Sequence, residues 1–288
     1  MKKNLEFCVA EECALLAFLL ECFHNKSRNY VKGVLKRGQV TIDGKACTDY
    51  ARALSPGQVV AVRMGQPPSE KLPMPILYED EELIVIDKPA GMLPIATDKE
   101  RENTAYHIVT EYMKSKPQPG RIFIVHRLDR ETSGVMLFAK NEKLKRTLQE
   151  NWDECAVHRG YTALVEGEVL QREGIITSWL KQTRTLLVYS NNHGEGQFAK
   201  TEFKTVRSAQ SCSLLDITIH TGRKNQIRVH MCDMGHPIVG DKKYGAKTDP
   251  LKRLGLHASL LIIRHPLTEK QLHFESKAVV LEKQFDIS

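Results

Sequence analysis

The sequence predicts two domains. The larger is α+β, with a mixed, mostly antiparallel central sheet and helices on its outside, and a small α/β unit precedes it. Three observations lead there. Short apolar or alternating runs, bounded by polar turns, recur from Leu83 through the 174–220 region, with helical periodicity between only some of them. Helical spacing followed by a hairpin pattern fills the first 65 residues. Between the two, residues 66–75 hold four prolines (Pro67, Pro68, Pro73, Pro75) among polar neighbours, too stiff and polar for a core element. The expected division is 1–65, a hinged linker over 66–75, and 76–288.

In the small unit, Leu15, Phe18, Leu19, Cys22 and Phe23 recur at helical spacing and bury one face. A second helix turns Val31, Val34 and Leu35 inward, while Arg28, Lys32 and Lys36 stand one above the next as a basic stripe. From His24 to Arg37 there are five Lys/Arg and no acid, which favours phosphate contact over a merely solvated face. Gly38 closes the helix, Val40 and Ile42 alternate, and Asp43-Gly44 supplies a hairpin turn. Ser55-Pro56-Gly57 then turns the chain into a strand over Val59–Val62.

The large domain opens with the apolar strand Leu83–Ile86 and the rigid exit Asp87-Lys88-Pro89-Ala90-Gly91, where Lys88 could be functional or simply solvated. A short helix is expected around Thr104–Met113. Leu144, Leu148 and Trp152 repeat at i,i+4 and mark one helix, with Asn141 as its cap. His158–Gly167 is the next strand, and alternating strands fill 174–220, broken by the polar loop Ser190–Gln197. The run Thr221–His230 follows the strand Leu214–His220 and opens a helix ending near Gly235. Its four Arg, Lys or His side chains make an anion-friendly surface.

Between two apolar runs expected as buried strands, Ile122–Val125 and Val135–Ala139, lies the loop His126-Arg127-Leu128-Asp129-Arg130-Glu131-Thr132-Ser133-Gly134. It holds the Asp129 carboxylate between two guanidinium groups, which favour the ionised acid. An anionic nucleophile or base on a rigid scaffold is what covalent or general-base chemistry needs, although a surface turn with ordinary ion pairs has the same composition.

Composition narrows the classes. Hydrophobic residues at 41% and charged residues at 27% describe a globular protein with ample core, and the longest apolar stretch, Ala14–Leu20, is too short to span a bilayer. No basic-then-apolar leader opens the chain, and cytoplasm is the expected compartment. Seven cysteines with no Cys-x-x-Cys pair argue against a disulfide framework and a zinc site, and no histidines fall at metal spacing. Neither metal nor cofactor is expected. A net charge of +7 and a pI near 9.0 make nucleic acid the first partner to consider.

The loop His126–Gly134 resembles the signature of the RluA-type pseudouridine synthases of large-subunit ribosomal RNA. The resemblance continues through Lys88-Pro89-Ala90-Gly91, Thr221–His230, His236-Pro237-Ile238-Val239-Gly240-Asp241 and Leu256-His257-Ala258, in the family's order. Asn225 stands where most relatives have His, a departure expected to leave the chemistry alone. The helix–helix–hairpin layout of residues 1–65 is similar to the S-four-like RNA-binding domain often found in front of these enzymes, though Glu11, Glu12 and Glu21 are unusual for it.

The resemblance implies an isomerase that turns uridine in structured RNA, ribosomal or transfer, into pseudouridine, on the pseudouridine synthase fold and without a cofactor. It assigns Asp129 as nucleophile and Arg228 as its ion-pair partner. Tyr161 would lie against the flipped uracil, Ile227 would form the apolar floor, and Arg127 would take the vacated place in the RNA. Arg223 joins the substrate-binding set, and Arg28, Lys32 and Lys36 the RNA-binding one. A monomer is expected. Two rival classes are a non-catalytic RNA-binding assembly factor, which has no use for Asp129 and Tyr161, and a glycosidic-bond hydrolase, which ordinarily needs two acids.

Overall fold

The computed structural model describes residues 4–36, 38–63, 72–98, 100–116, 118–191 and 193–287. The chain divides into two compact units, Met1–Glu70 and Lys71–Ser288. Of the expected linker, the part up to residue 71 lies outside the described residues. Its last residues belong to the second unit. Met74 is buried in a cluster with Ile84 and Ile86, and the Pro75 carbonyl accepts a hydrogen bond from Asp87 N at 2.9 Å.

The first unit runs β1 (Asn4–Cys8), β2 (Cys13–Ala14), α1 (Leu15–Cys22), α2 (Arg28–Lys36), β3 (Val40–Ile42), β4 (Lys45–Ala46), β5 (Ala53–Leu54) and β6 (Val59–Arg63). One sheet has the order β1-β6-β3-β4, and β2 pairs with β5. Leu15, Leu19 and Phe23 from the first helix and Val31, Val34 and Leu35 from the second meet Val40, Ile42, Val60 and Val62 in one core. Asp43 and Gly44 both take positive φ (49° and 79°), the conformation a tight two-residue hairpin demands. Strand β1, for which no pattern stood out, pairs antiparallel with β6 along its whole length.

The second unit continues with β7 (Ile76–Glu79), β8 (Leu83–Lys88), α3 (Ala105–Ser115), β9 (Phe123–Ile124), β10 (Ser133–Ala139), α4 (Glu142–Glu150) and α5 (Trp152–Cys155). Then come β11 (His158–Glu166), β12 (Glu173–Gln182), β13 (Val188–Asn191), β14 (Gln197–Ser208), β15 (Cys212–Ile219), α6 (Gln226–Asp233), β16 (Leu256–Arg264), β17 (Gln271–Glu275) and α7 (Val279–Ile287). These strands form an 11-stranded sheet of order β13-β12-β14-β15-β11-β16-β10-β8-β7, with β17 beside β16 and β9 beside β10. The fold is therefore α+β around a mixed, mostly antiparallel sheet. Among the described residues its one parallel pairing joins β10 to β16, at Ser133↔His257 and Gly134↔Ala258.

That short pairing makes a fork. Gly134, at φ +112°, lets the two strands touch, because a Cβ there would fall 2.2 Å from the Ala258 carbonyl oxygen. Beyond it β10 turns to β8 while β16 runs on between β11 and β17, and the loop 125–132 sits at the opening. The fork also explains a difference from expectation. The run Ile122–Val125 forms only a two-residue strand, paired at Phe138↔Ile124 and Ala139↔Phe123.

The helix expected from Leu144 to Trp152 is two helices. Asn141 caps α4 as expected, accepting from Leu144 N at 2.7 Å, but Asn151 ends it and Trp152 starts α5. Thr104 caps α3 by accepting from His107 N at 3.1 Å. No helix among the described residues is long and apolar enough to cross a membrane.

Candidate active site

The loop that carries Asp129 is tied down from three sides. Beneath it Lys88, at 0% exposure, donates from Nζ to the carbonyls of Pro89 (2.9 Å), Met92 (2.8 Å) and Arg130 (3.1 Å). The lysine at the exit of β8 is thus a buried staple that holds the residue after Asp129. Burial pulls its pKa down to about 8 against the opposing pull of Glu131 and Asp129, with Arg253 adding to the depression. At the loop's start His126 Nε2 accepts from Leu137 N at 3.0 Å, and its ring stacks on Trp152 at 4.9 Å and 17°. At its end Ser133 Oγ accepts from Arg253 Nη2 (2.7 Å) and bonds His257 Nδ1 (2.8 Å), whose Nε2 lies 3.1 Å from the Ser276 carbonyl.

The other wall comes from the turn before α6. Gln226 fixes it. Its Oε1 accepts from Thr221 Oγ1 (2.8 Å) and Arg223 N (3.1 Å), and its Nε2 donates to the Lys200 carbonyl and to Thr201 Oγ1. Asn225 takes a left-handed conformation (φ 55°) to start the helix, so Ile227 and Arg228 leave the first turn towards the loop. Asp129 carries 32% side-chain exposure, Arg228 only 13%, and Arg228 Nη1 stands 3.8 Å from Asp129 Oδ2.

Asp129 is not the only acid that Arg228 meets. The guanidinium fork is committed to Asp241, with Nε to Oδ2 and Nη2 to Oδ1 both at 2.7 Å, and Asp241 is 1% exposed. This bidentate bond fixes the plane of Arg228 and turns Nη1 towards Asp129. Burial works against the guanidinium charge, but the bonds and charge of Asp241, with Asp129 adding to them, raise its pKa overall. Tyr244 lies under the guanidinium, 5.0 Å from ring centre to Cζ.

Asn225, whose departure from the usual His was expected to be immaterial, is part of this framework. Its Oδ1 accepts from Arg228 Nη1 (3.2 Å) and its Nδ2 donates to the Tyr244 hydroxyl (3.0 Å).

Arg127, Asp129, Tyr161, Arg223, Ile227 and Arg228 all line one cavity of about 90 Å³. Six residues named from three separate stretches of sequence therefore converge. Ile227 is buried and apolar on the wall with Tyr161, which β11 delivers from the sheet. Burial, reinforced by Asp129 and opposed by Arg159, pushes the Tyr161 phenol up to about 12, so it stays neutral. Arg127 is exposed at the mouth, and Arg223 Nε donates to the Phe198 carbonyl at 3.0 Å. Chemically, the site offers one carboxylate beside a fixed cation, a neutral aromatic wall and an apolar floor.

Outside this unit, Arg28 and Lys32 are exposed on α2, with Lys32 Nζ 6.0 Å from the Tyr50 ring centre. The side chain of Lys36 lies outside the described residues. Sequence reasoning missed Asp241, Tyr244 and the roles of Lys88 and Ser133. Asp241 closes a stretch already singled out, and Lys88 sits in another, so the signal was the motif rather than any local pattern.

The sequence profile of the RNA pseudouridylate synthases matches residues 82–233. An uncharacterized RNA pseudouridine synthase of Aquifex aeolicus is 33% identical over 91% of this chain and 87% of its own length. The ribosomal large subunit pseudouridine synthase D of Nitrosomonas europaea is 31% identical over 87% of this chain and 76% of its own. Among solved structures, human RNA pseudouridylate synthase domain containing 4 superposes with a TM-score of 0.58 at 24% identity, covering 70% of this chain and 87% of that one.

Proposed function

Because the chain belongs to the RNA pseudouridylate synthase family, we propose that Asp129 is the residue through which it isomerises uridine in structured RNA to pseudouridine. The observation that carries this assignment is the convergence of six side chains on one cavity around that carboxylate. Isomerisation breaks the N-glycosidic bond, turns the uracil and rejoins it through carbon five. Asp129 supplies the carboxylate that opens the bond. Arg228, aimed by Asp241, sets a fixed cation 3.8 Å from that carboxylate.

A uracil must leave the helical stack to reach this depth, and Arg127 at the mouth takes its place in the RNA. Tyr161 then lies against one face of the base, a contact worth about 1–3 kcal/mol, with Ile227 on the other side. Arg223 meets a backbone phosphate.

The first unit is an S-four-like RNA-binding domain in this reading, with Arg28, Lys32 and Lys36 as its phosphate contacts. The substrate is ribosomal RNA, as the name of the Nitrosomonas relative suggests, and the enzyme acts as a cytoplasmic monomer. Pseudouridine mapping across ribosomal and transfer RNA, in cells with and without the gene, tests the reading. Loss of one or a few ribosomal pseudouridines is expected. Loss confined to transfer RNA overturns the substrate, and an unchanged map overturns the function. Mass measurement of the product separates isomerisation, which leaves mass unchanged, from hydrolysis, which removes the base.

A further inference from the structure

We propose that a second cavity beside the catalytic pocket is a nucleotide subsite, which takes the nucleotide adjacent to the target uridine in the same RNA strand. The proposal rests on the reading above and adds to it a place for a second residue of the substrate.

The cavity, about 410 Å³, lies at the fork between β10 and β16 and is lined by His126, Gln149, Trp152, Arg159, Gly222 and Arg223 among others. That volume falls in the range of roughly 300–1,000 Å³ that small-ligand sites occupy. It shares Arg127, Tyr161 and Arg223 with the catalytic pocket. A strand passing Arg127 therefore delivers one nucleotide to each side.

The lining matches a base and a phosphate. Trp152, partly exposed and stacked on His126, offers an aromatic platform that a base extends by stacking. Burial, with Arg159 adding to it, holds the His126 imidazole down at about 4, so the lower member of that stack is uncharged. Arg159 is the anion site. It is 8% exposed, donates from Nη2 to the His220 carbonyl at 2.7 Å, and has no hydrogen-bond partner on its buried Nε. Its present counter-charge is Asp153, 3.4 Å away and 76% exposed at the rim, free to move aside. Gly222 keeps the guanidinium open, because a Cβ there would come 3.3 Å from Nη1. Arg159 lines the cavity, and a phosphate oxygen that displaces Asp153 takes over its counter-charge with a charge-assisted bond.

The test uses RNA oligonucleotides that contain the mapped uridine, with the base removed from its 5′ or its 3′ neighbour, and measures single-turnover kcat/KM with the full-length enzyme. Removing one of the two bases is expected to lower kcat/KM about tenfold, the loss of one stacked base. Trp152→Leu is expected to lower it about as much on intact RNA and to show no further loss on that abasic RNA. Arg159→Lys, which keeps the charge but loses the planar fork, is expected to raise KM and leave kcat unchanged. Equal rates on intact and on both abasic RNAs overturn the subsite with the unaltered enzyme alone, whatever the variants do. Losses that multiply between Trp152→Leu and the abasic RNA overturn it as well. No pseudouridine in the intact RNA overturns the underlying reading, an outcome separate from both.

Discussion

The loop around Asp129 and the helix carrying Arg28 and Lys32 are both rich in cations, yet they are built in opposite ways. Around Asp129 the framework is held in fixed places. Lys88 is buried under three carbonyls, Arg228 is clamped by Asp241, and Ser133 is held by Arg253 and His257. On α2, Arg28 and Lys32 stand in solvent, with one cation–π contact at 6.0 Å from Lys32 to Tyr50. The first arrangement sets a geometry, and its value depends on fractions of an ångström. The second supplies charge, screened by salt and insensitive to small displacements. Chemistry and affinity are therefore expected to separate when each region is altered.

The largest of these effects is expected at Arg228. Arg228→Ala leaves Asp241, 1% exposed, without its partner. Unfolding experiments should show a loss of about 3–5 kcal/mol, and single-turnover conversion should fall by at least ~10²-fold. A variant with parental stability and rate would remove Arg228 from the account. Asp241→Asn is the finer cut. It keeps the shape but weakens the clamp, so kcat should fall about ten- to a hundredfold with KM unchanged. A rise in KM alone would show that Asp241 serves binding, and would erase the contrast between the two regions.

How far this site could be read from the chain differs residue by residue. Asp129, Tyr161, Ile227 and Arg228 lie in motifs whose order along the sequence carried their roles. Asp241 lies thirteen residues beyond Arg228, across the turn at Gly235 and the strand-like bridge of Ile238 to Val165. No local rule tells a carboxylate after a glycine to turn back on an arginine. Lys88 is the clearer lesson. A lysine at a strand exit is ordinarily solvated, and the return of the loop at Arg130 adds a distant carbonyl to the local ones of Pro89 and Met92. The same holds for the fold. Most strands showed in the apolar pattern, whereas the shortness of the Phe123–Ile124 pairing follows from the fork between β10 and β16, a tertiary feature.

A smaller effect should appear with pH. Burial holds His126 and His230 neutral down to about 4, against 6.5 for a free imidazole, the nearby Arg159 cation adding for His126 and Asp233 opposing for His230. Between these values the unfolded chain binds protons that the folded one refuses. Stability is thus full above about 6.5 and falls as pH drops towards 4. Melting temperatures across that window should decline for the parent and less steeply for His230→Gln. A flat profile would mean that both rings accept protons in the folded state.

The smallest expected effect lies on the helix. Replacing Arg28, Lys32 and Lys36 together by Ala should flatten the slope of log affinity against log salt by roughly two to three. The saturating single-turnover rate should match the parent, while the rate at limiting enzyme falls. An unchanged slope would make the stripe a solvated face. A lower saturating rate would show that the first unit shapes the active site.

The central claim is that the Asp129 carboxylate performs the isomerisation. Its most direct measurement is single-turnover conversion by Asp129→Asn at enzyme concentrations where parent and variant bind the same fraction of RNA, with pseudouridine counted in the product. The amide keeps the shape and loses the charge, so equal binding with no pseudouridine above an enzyme-free control is the predicted result. Pseudouridine formed by Asp129→Asn at a measurable fraction of the parental rate would contradict it.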